Sequence, residues 1–546
     1  METAEKLYPV EPRVGSCYNP PHPAWELTVL KETYYIPPTA LDLRIFEKLV
    51  PPDHYLRQVK AVIDFERYRC ELASCYNPAE GRPADDPVLM VKLEFLQFHY
   101  NLSDREVITE AQVNVAFRFF LDLSIESTLP HPSLLSVFRM RVGVEQHEAL
   151  FHALLGQARE QGLVKDRLRL KDATHVLANI AIPSTIRLVA ETRARLLAAA
   201  QPLDPERVAQ EEAQAASVRT LTADLSDEER LLQRVNHLRQ IVTWADTLLA
   251  SAGSQATEPD PLQQALTEQL HLAHKVLADR ENPEAGDKLL SVQDPDARRS
   301  KHGNYFEGFL FDMTMDADSE LITAVNVLPG NGDEAADVQV LITQEEQSQG
   351  NDVQALSIDG AGFRGRRLRE WTDPTDLNLE VFVPPTPLPE SRGDYTPDDF
   401  ILDVTGTQVT CPGGVSTARR YRTAEDTGWQ YQFDRPTCAD CPLREQCLAR
   451  LPKQTGRTVV KNDYEAEYAA AREKALTPEY AEVRRQHPRV ERKLGEVVRH
   501  HGMRVARYRG RVRVKVQAFL TAFVVNVKRL VTLAASACLQ AAKAGA

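Results

Sequence analysis

The stretch Arg167 to Asn179, RLRLKDATHVLAN, constrains this chain most. Leu168, Leu170, Ala173, Val176 and Leu177 are apolar, and Lys171-Asp172 interrupts them. The pattern predicts a β-strand with a carboxylate in its middle. Burying a carboxylate there is costly unless a metal ion or a basic partner offsets its charge. Two later acids, Asp359 and Glu491, stand in contexts from which they could converge on Asp172.

At 546 residues the chain has room for about two to four domains. With 43% hydrophobic and 26% charged residues it reads as globular throughout. No run reaches the roughly 18 apolar residues of a membrane span. METAEKLYPVEP has neither the basic start nor the apolar core of a signal peptide. A cytoplasmic protein with no membrane partner is expected. The net charge of -13 speaks against a nucleic-acid partner until its distribution is considered. Residues 201–300 hold 18 acids against 10 bases, whereas residues 484–515 hold 12 bases against 2 acids. Local neutralisation of phosphates, not net charge, sets a footprint on DNA.

In chain order, residues 1–86 are rich in Pro and turn residues, with a short helix near Leu41–Leu49 that Thr39 can cap. PVLMVKLEFLQFHY then carries helical spacing, and Ser103 with Glu106 forms a capping box for a second helix. Pro132-Ser133 opens a third, LLSVFRMRV, and Arg118, Arg139 and Arg141 give this bundle basic surface. Beyond the Asp172 strand, Ile182-Pro183-Ser184 breaks the pattern. Ser226 and Glu229 form another capping box. Leu231, Val235, Leu238, Val242, Ala245 and Leu249 make one buried stripe, expected to pack on a helix near Leu262–Leu277. This is an acidic helical insertion, about 186–298.

From Tyr305 the period becomes that of strands. GNYFEGFLFDMTMD and ELITAVNVL form a hairpin around Asp316-Ala-Asp-Ser, a helix follows near Ala335–Glu345, and VQALSIDGAGF is a strand ending at Asp359. This is the order of a ribonuclease H-like sheet, which places one carboxylate on its first strand and another near the end of its fourth. Residues 364–476 read as an insertion of turns and short strands. Cys411, Cys438, Cys441 and Cys447 within it suggest a structural Zn2+ site. Cys17, Cys70, Cys75 and Cys538 show no ligand-like grouping. After YEAEYAAAREKAL, Thr477-Pro478 starts one helix and Pro488 another, which carries Glu491 among Val490, Leu494, Val497 and Val498. The basic run MRVARYRGRVRVK and a buried closing helix, QAFLTAFVVNVKRLVTLAA, end the chain. Carboxylates from a first strand, a fourth strand and a late helix can meet at one sheet edge and bind two Mg2+ or Mn2+ ions.

The chain resembles the bacterial insertion-sequence transposases of the DDE class, in the group typed on insertion sequence eleven-eighty-two. The resemblance rests on DPVLMVKLEFLQFHYNLSDREV…AFRFFLDL, KDATHVLANIAI and NYFEGFLFDMTMDADSELITAVNVLPGNGDEAAD. It continues through SIDGAGF, the cysteine cluster and HPRVERKLGEVVRHHGMRVARYRG…NVKRL. It implies a mixed α/β protein with four parts. These are an N-terminal helical DNA-binding domain (1–165), the first part of a ribonuclease H-like catalytic core (166–363), the cysteine-bearing insertion (364–476) and the rest of the core (477–546). It implies Asp172, Asp359 and Glu491 as the metal-binding triad. DNA partners would be terminal inverted repeats and target DNA, and the working complex a homodimer or larger near the bacterial nucleoid. Arg485, Arg489, Arg492, Arg499, Arg504, Arg507, Arg509, Arg511, Arg513 and Lys515 are the expected phosphate contacts.

The chain departs from the family's Tyr-x2-Arg-x3-Glu-x6-Lys pattern. His487 lies four before Glu491 and Val498 seven after, leaving Tyr480, Arg485 and Arg499 as the nearest candidates. Gly-Ala-Gly-Phe follows Asp359 where a basic residue and Tyr are common. His175 reads as structural and Asp333 as a turn or cap residue. The alternatives are a non-catalytic DNA-binding relic or domesticated derivative, and a ribonuclease H-like nuclease without strand transfer. Three acids in intact context disfavour the first.

Overall fold

A computed structural model describes residues 35–77, 84–252, 260–282, 284–386, 394–424, 427–448 and 452–544. Cys17 and the side chain of Cys538 lie outside what is described. The N-terminal part is helical: α1 Ala40–Leu49, α2 Tyr55–Val62, α3 Arg67–Leu72, α4 Pro87–His99, α5 Asp104–Val113, α6 Val115–Leu121 and α7 Ser133–Glu160. The local signals act as expected. Thr39 caps α1 in a capping box with Asp42, Asp86 caps α4 ahead of Pro87, and Ser103 with Glu106 caps α5. The third helix runs far past LLSVFRMRV because Gly143, at φ +71°, turns the chain within α7 without ending it. α2 and α3 fall in the stretch read as mostly turns. Each is short, and tertiary burial of Leu56, Val59, Tyr68 and Leu72 holds them.

The sheet begins with β1 Arg169–Leu177 and continues, after a helical excursion, with β2 Arg298–His302, β3 Asn304–Asp316 and β4 Ile322–Pro329. Helix α12 Asp337–Gln349, β5 Ala355–Ser357, α13 Gly365–Thr372 and β6 Glu380–Phe382 complete it. In between lie α8 Thr185–Ala200, α9 Pro205–Leu221, α10 Asp227–Ala252 and α11 Pro261–Glu281. Across the sheet the order is β4-β3-β1-β5-β6, with β2 on the same edge of β3 as β4. β1 and β3 are antiparallel with Asp172 opposite Met313, while β1, β5 and β6 are parallel. Three antiparallel strands followed by two parallel ones form the ribonuclease H-like core. The fifth strand, β6, falls inside 364–476, the stretch read as insertion; three residues carry too little periodicity to announce a strand. Helices α8, α10 and α11 close their own apolar core through Leu196, Leu238, Val242, Leu266, Leu270 and Val276.

After β6 come two small three-stranded sheets: β7 Ile401–Leu402 with β8 Val409–Thr410 and β9 Ser416–Thr417, then β10 Arg420–Arg422 with β11 Gly428–Gln432 and β12 Thr458–Asn462. The short helices α14 Arg435–Ala439 and α15 Arg444–Cys447 lie between β11 and β12. Helices α16 Glu465–Lys474, α17 Pro478–Gln486, α18 Pro488–His500 and α19 Arg511–Ala544 end the chain. By length and composition, Arg511–Ala537 would suffice to cross a membrane. Its apolar window is 67% buried within the protein, so it is a core helix. It packs on β4, α4 and α7, and one apolar cluster runs from Leu56 and Phe98 through Leu170 and Phe311 to Val524. Asn526 interrupts the apolar run because it satisfies the start of β4. Its Oδ1 accepts from Ile322 N and its Nδ2 donates to Ile322 O, both at 2.8 Å.

Candidate active site

β1 carries different charges on its two faces. Arg169 and Lys171 are buried toward α12. The Arg169 guanidinium meets Glu345 at 2.6 Å and Asp316 at 2.9 Å, and Lys171 meets Asp312 at 2.9 Å. Lys171 is therefore not the partner of its neighbour Asp172, since successive strand residues face opposite ways. Asp172 lies half-buried on the face that α18 covers with Val490, Leu494 and Val497. Its Oδ1 accepts from Ala173 N at 2.8 Å. Burial, then the charges of Asp359 and Glu334, push its carboxyl up to about 6.

Asp359 lies two residues past the end of β5, half-buried, and its Oδ1 accepts from Ala361 N at 3.0 Å to start a single 3-10 turn. Gly362 is needed in that turn, because a Cβ there would come within 2.6 Å of Ile358 Cγ2. Glu491 sits exposed in the first turn of α18, where the helix N-terminus favours negative charge. Arg484, half-buried on α17, lies within electrostatic reach of all three acids, Asp359, Glu491 and Asp172. Its Nη1 donates to Ile358 O at 2.9 Å and to Ser357 Oγ at 3.2 Å, and His487 Nδ1 meets the same hydroxyl at 3.1 Å. Arg485, the sequence-based candidate, instead points outward and pairs with Glu482 at 2.5 Å. The signal for Arg484 was present: Tyr480, Arg484, His487 and Glu491 step by four, three and four along one helical stripe.

Asp172, Asp359 and Glu491 thus border one neighbourhood. The four insertion cysteines line one cavity of about 30 Å³ with Phe400 and Phe433. Gly456 passes so close that a Cβ would stand 2.6 Å from Cys438 Sγ, which also accepts from Arg457 N at 3.4 Å. Burial, more than the neighbouring thiols, pushes Cys438 and Cys447 up. Among the described residues, no three His, Cys, Asp or Glu side chains are grouped tightly enough to hold a metal ion. Either set would have to close around one.

The expected phosphate contacts separate into two kinds. Arg492, Arg499, Arg509, Arg511 and Arg513 are exposed along with Arg485. Arg489 donates to Ala317 O at 2.6 Å, and Lys515 lies 3.8 Å from Glu148. Arg504 and Arg507 are turned inward, onto His175 O and Leu102 O. His175 packs its ring on Phe306, and Asp333 accepts from Ala335 N and pairs with Arg364, both structural roles.

A Transposase domain (DUF772) matches residues 44–141, and a Transposase DDE domain matches residues 410–531. Both matches are to transposase domains, each over less than half of the chain. Taken with the sheet order, the two matches support an insertion-sequence DDE transposase. The DDE match takes in Glu491 and the four cysteines and leaves Asp172 and Asp359 outside. No curated protein and no solved structure matches the chain.

The state of Asp172 has a measurable consequence. A carboxyl raised from 3.8 to about 6 costs stability that is absent below the unfolded value and grows as pH rises through the folded one. Asp172→Asn is therefore expected to stabilise the metal-free protein by about 2 kcal/mol near pH 7, with the gap closing near pH 4. Denaturant unfolding in chelator at both pH values checks this; an equal gap at the two would remove the electrostatic cause.

Proposed function

We propose that the chain binds the terminal inverted repeats of its own element, hydrolyses phosphodiesters at the ends and joins the freed 3′-hydroxyls to target DNA. The convergence of Asp172, Asp359 and Glu491 on the Arg484 neighbourhood carries this reading. An all-oxygen donor set of three carboxylates, with Asp172 raised first by burial and then by the charges of Asp359 and Glu334, suits Mg2+ or Mn2+. Two such ions, when bound, activate the attacking oxygen and stabilise the leaving one. The protein's own part is positional: β1 and the turn after β5 fix two acids on rigid backbone, and α18 presents the third. Arg484 anchors the backbone immediately before Asp359. Residues 1–165 would recognise the ends, residues 166–363 and 477–546 together with β6 would form the core, and the rest of 364–476 would be the insertion. The exposed arginines from Arg485 to Arg513 would lie on phosphates. Two ends brought together require at least a dimer.

We also assign Zn2+ to Cys411, Cys438, Cys441 and Cys447. The shared cavity, the Arg457 N–H aimed at Cys438 and the close approach of Gly456 fit a thiolate site. Cys438→Ser with Cys441→Ser is expected to lose one zinc per chain and to loosen β7–β12. Unchanged metal content in the purified double variant would remove the assignment. The wider function is tested on DNA carrying the sequences that flank the element. Metal-dependent nicking at its ends is the expected outcome, and binding without nicking would favour the DNA-binding relic.

A further inference from the structure

Residues 501–508 follow the Glu491 helix directly and carry two of the inward-facing arginines. One side of this segment is fastened to the α4–α5 turn of the N-terminal helices. Arg507 Nη1 donates to Leu102 O at 2.7 Å and Nη2 to Asn101 Oδ1 at 2.6 Å, with the guanidinium 4.6 Å above the Phe98 ring. His501 Nδ1 meets Phe98 O at 3.1 Å. Gly502, at φ +70°, lets the chain pass Asn101, where a Cβ would stand 2.4 Å from Oδ1. The other side is fastened to the end of β1. Leu177 N donates to Arg504 O at 2.9 Å, Ala506 N donates to Leu177 O at 2.8 Å, and Arg504 Nη1 donates to His175 O at 3.0 Å.

We propose that Arg507 is a positioning residue and not a phosphate ligand, and that Arg504 fastens the same segment to β1. They clamp the 501–508 segment between the N-terminal helices and β1, so that DNA held by those helices sets Glu491 relative to Asp172. A phosphate contact needs donors free to face DNA, whereas the Arg507 guanidinium is committed to a main-chain carbonyl, a side-chain amide and the Phe98 ring. The segment touches the α4–α5 turn, the strand of Asp172 and the helix of Glu491 at once. A displacement at the turn therefore reaches the third carboxylate through a few bonded residues. This rests on the transposase reading given above.

The test uses the full chain, a duplex carrying one element end, and Mg2+. Arg507→Lys keeps the charge but cannot reproduce the planar two-pronged contact and the stacking on Phe98. Gly502→Ala changes no charge and pushes on Asn101. In both variants we expect end affinity within about threefold of the parent and an unchanged slope of log affinity against log salt. End cleavage should fall by about tenfold or more, and amide exchange over 488–510 should speed up in the free protein. Should Arg507→Lys lose the fold, as a collapsed thermal transition would reveal, Gly502→Ala carries the comparison. Unchanged exchange, or cleavage equal to the parent's, would overturn the clamp. A loss of affinity parallel to cleavage in Arg507→Lys, with a salt slope lower by about one, would also overturn it and make Arg507 a phosphate ligand. Failure of the parent to cleave would count against the transposase reading alone, because the exchange comparison needs no activity.

Discussion

Glu491→Gln is expected to lower end cleavage by about a thousandfold or more while leaving end binding within a few-fold. Glutamine keeps the length and shape of the side chain and loses the charge that a divalent cation requires. Because Glu491 is exposed at the start of α18, its substitution disturbs no packing. The helix is held by Val490, Leu494 and Val497 on its other face, so the variant should fold and melt like the parent. Cleavage assays beside gel-shift measurements on the same duplex decide the matter. Full cleavage by the variant would take Glu491 out of the site, and the acid would then have to come from elsewhere on α17 or α18.

The second large effect is on stability. Glu345→Ala should cost about 3–5 kcal/mol, because it strips the main counter-charge from a guanidinium that has no route to water. Arg169 is fully buried, and Glu345 accepts from its Nε at 2.9 Å and its Nη2 at 2.6 Å. Arg159 Nη2 and Asn351 Nδ2 converge on the same carboxylate, both at 3.1 Å. Asp316 and, at 3.4 Å, Asp166 would remain to balance Arg169, and Asp316 is itself buried. The damage falls on β1, so cleavage should fall with stability. A change under about 1 kcal/mol in calorimetric unfolding would mean that water or repacking fills the gap.

These residues also show what the sequence can and cannot disclose. Local signals were legible where one segment determines its own conformation. Capping boxes at Ser103 and Ser226, Pro488 in a first turn, and the alternation around Asp172 all correspond to elements found in the fold. Partners distant in sequence were not legible. The partner of Lys171 is Asp312 on β3, and strand geometry turns Lys171 away from its neighbour Asp172. Arg169 finds Glu345 across 176 positions, a distance over which no spacing rule operates. Arg484 is hidden in the sequence because Pro488 signals a break there, whereas His487 keeps helical backbone angles and the stripe from Tyr480 to Glu491 runs across the break. Arg504 and Arg507 looked like part of a phosphate-binding run since composition alone does not tell which way a guanidinium turns. The fifth strand was too short to be seen. Charge runs thus locate a surface, and only the fold separates the arginines that face DNA from those that hold the protein together.

The most direct measurement is strand transfer. The full chain is incubated with a precut element end bearing a free 3′-hydroxyl, a supercoiled target plasmid and Mg2+ or Mn2+, and joined products are counted for the parent and for Asp172→Asn. Metal-dependent joining by the parent and none above background by the variant is expected, with both proteins retaining the end duplex. Cleavage of the ends without any joining would make this a nuclease. Joining by Asp172→Asn at the parent's rate would contradict the assignment of the first carboxylate and with it the site described above.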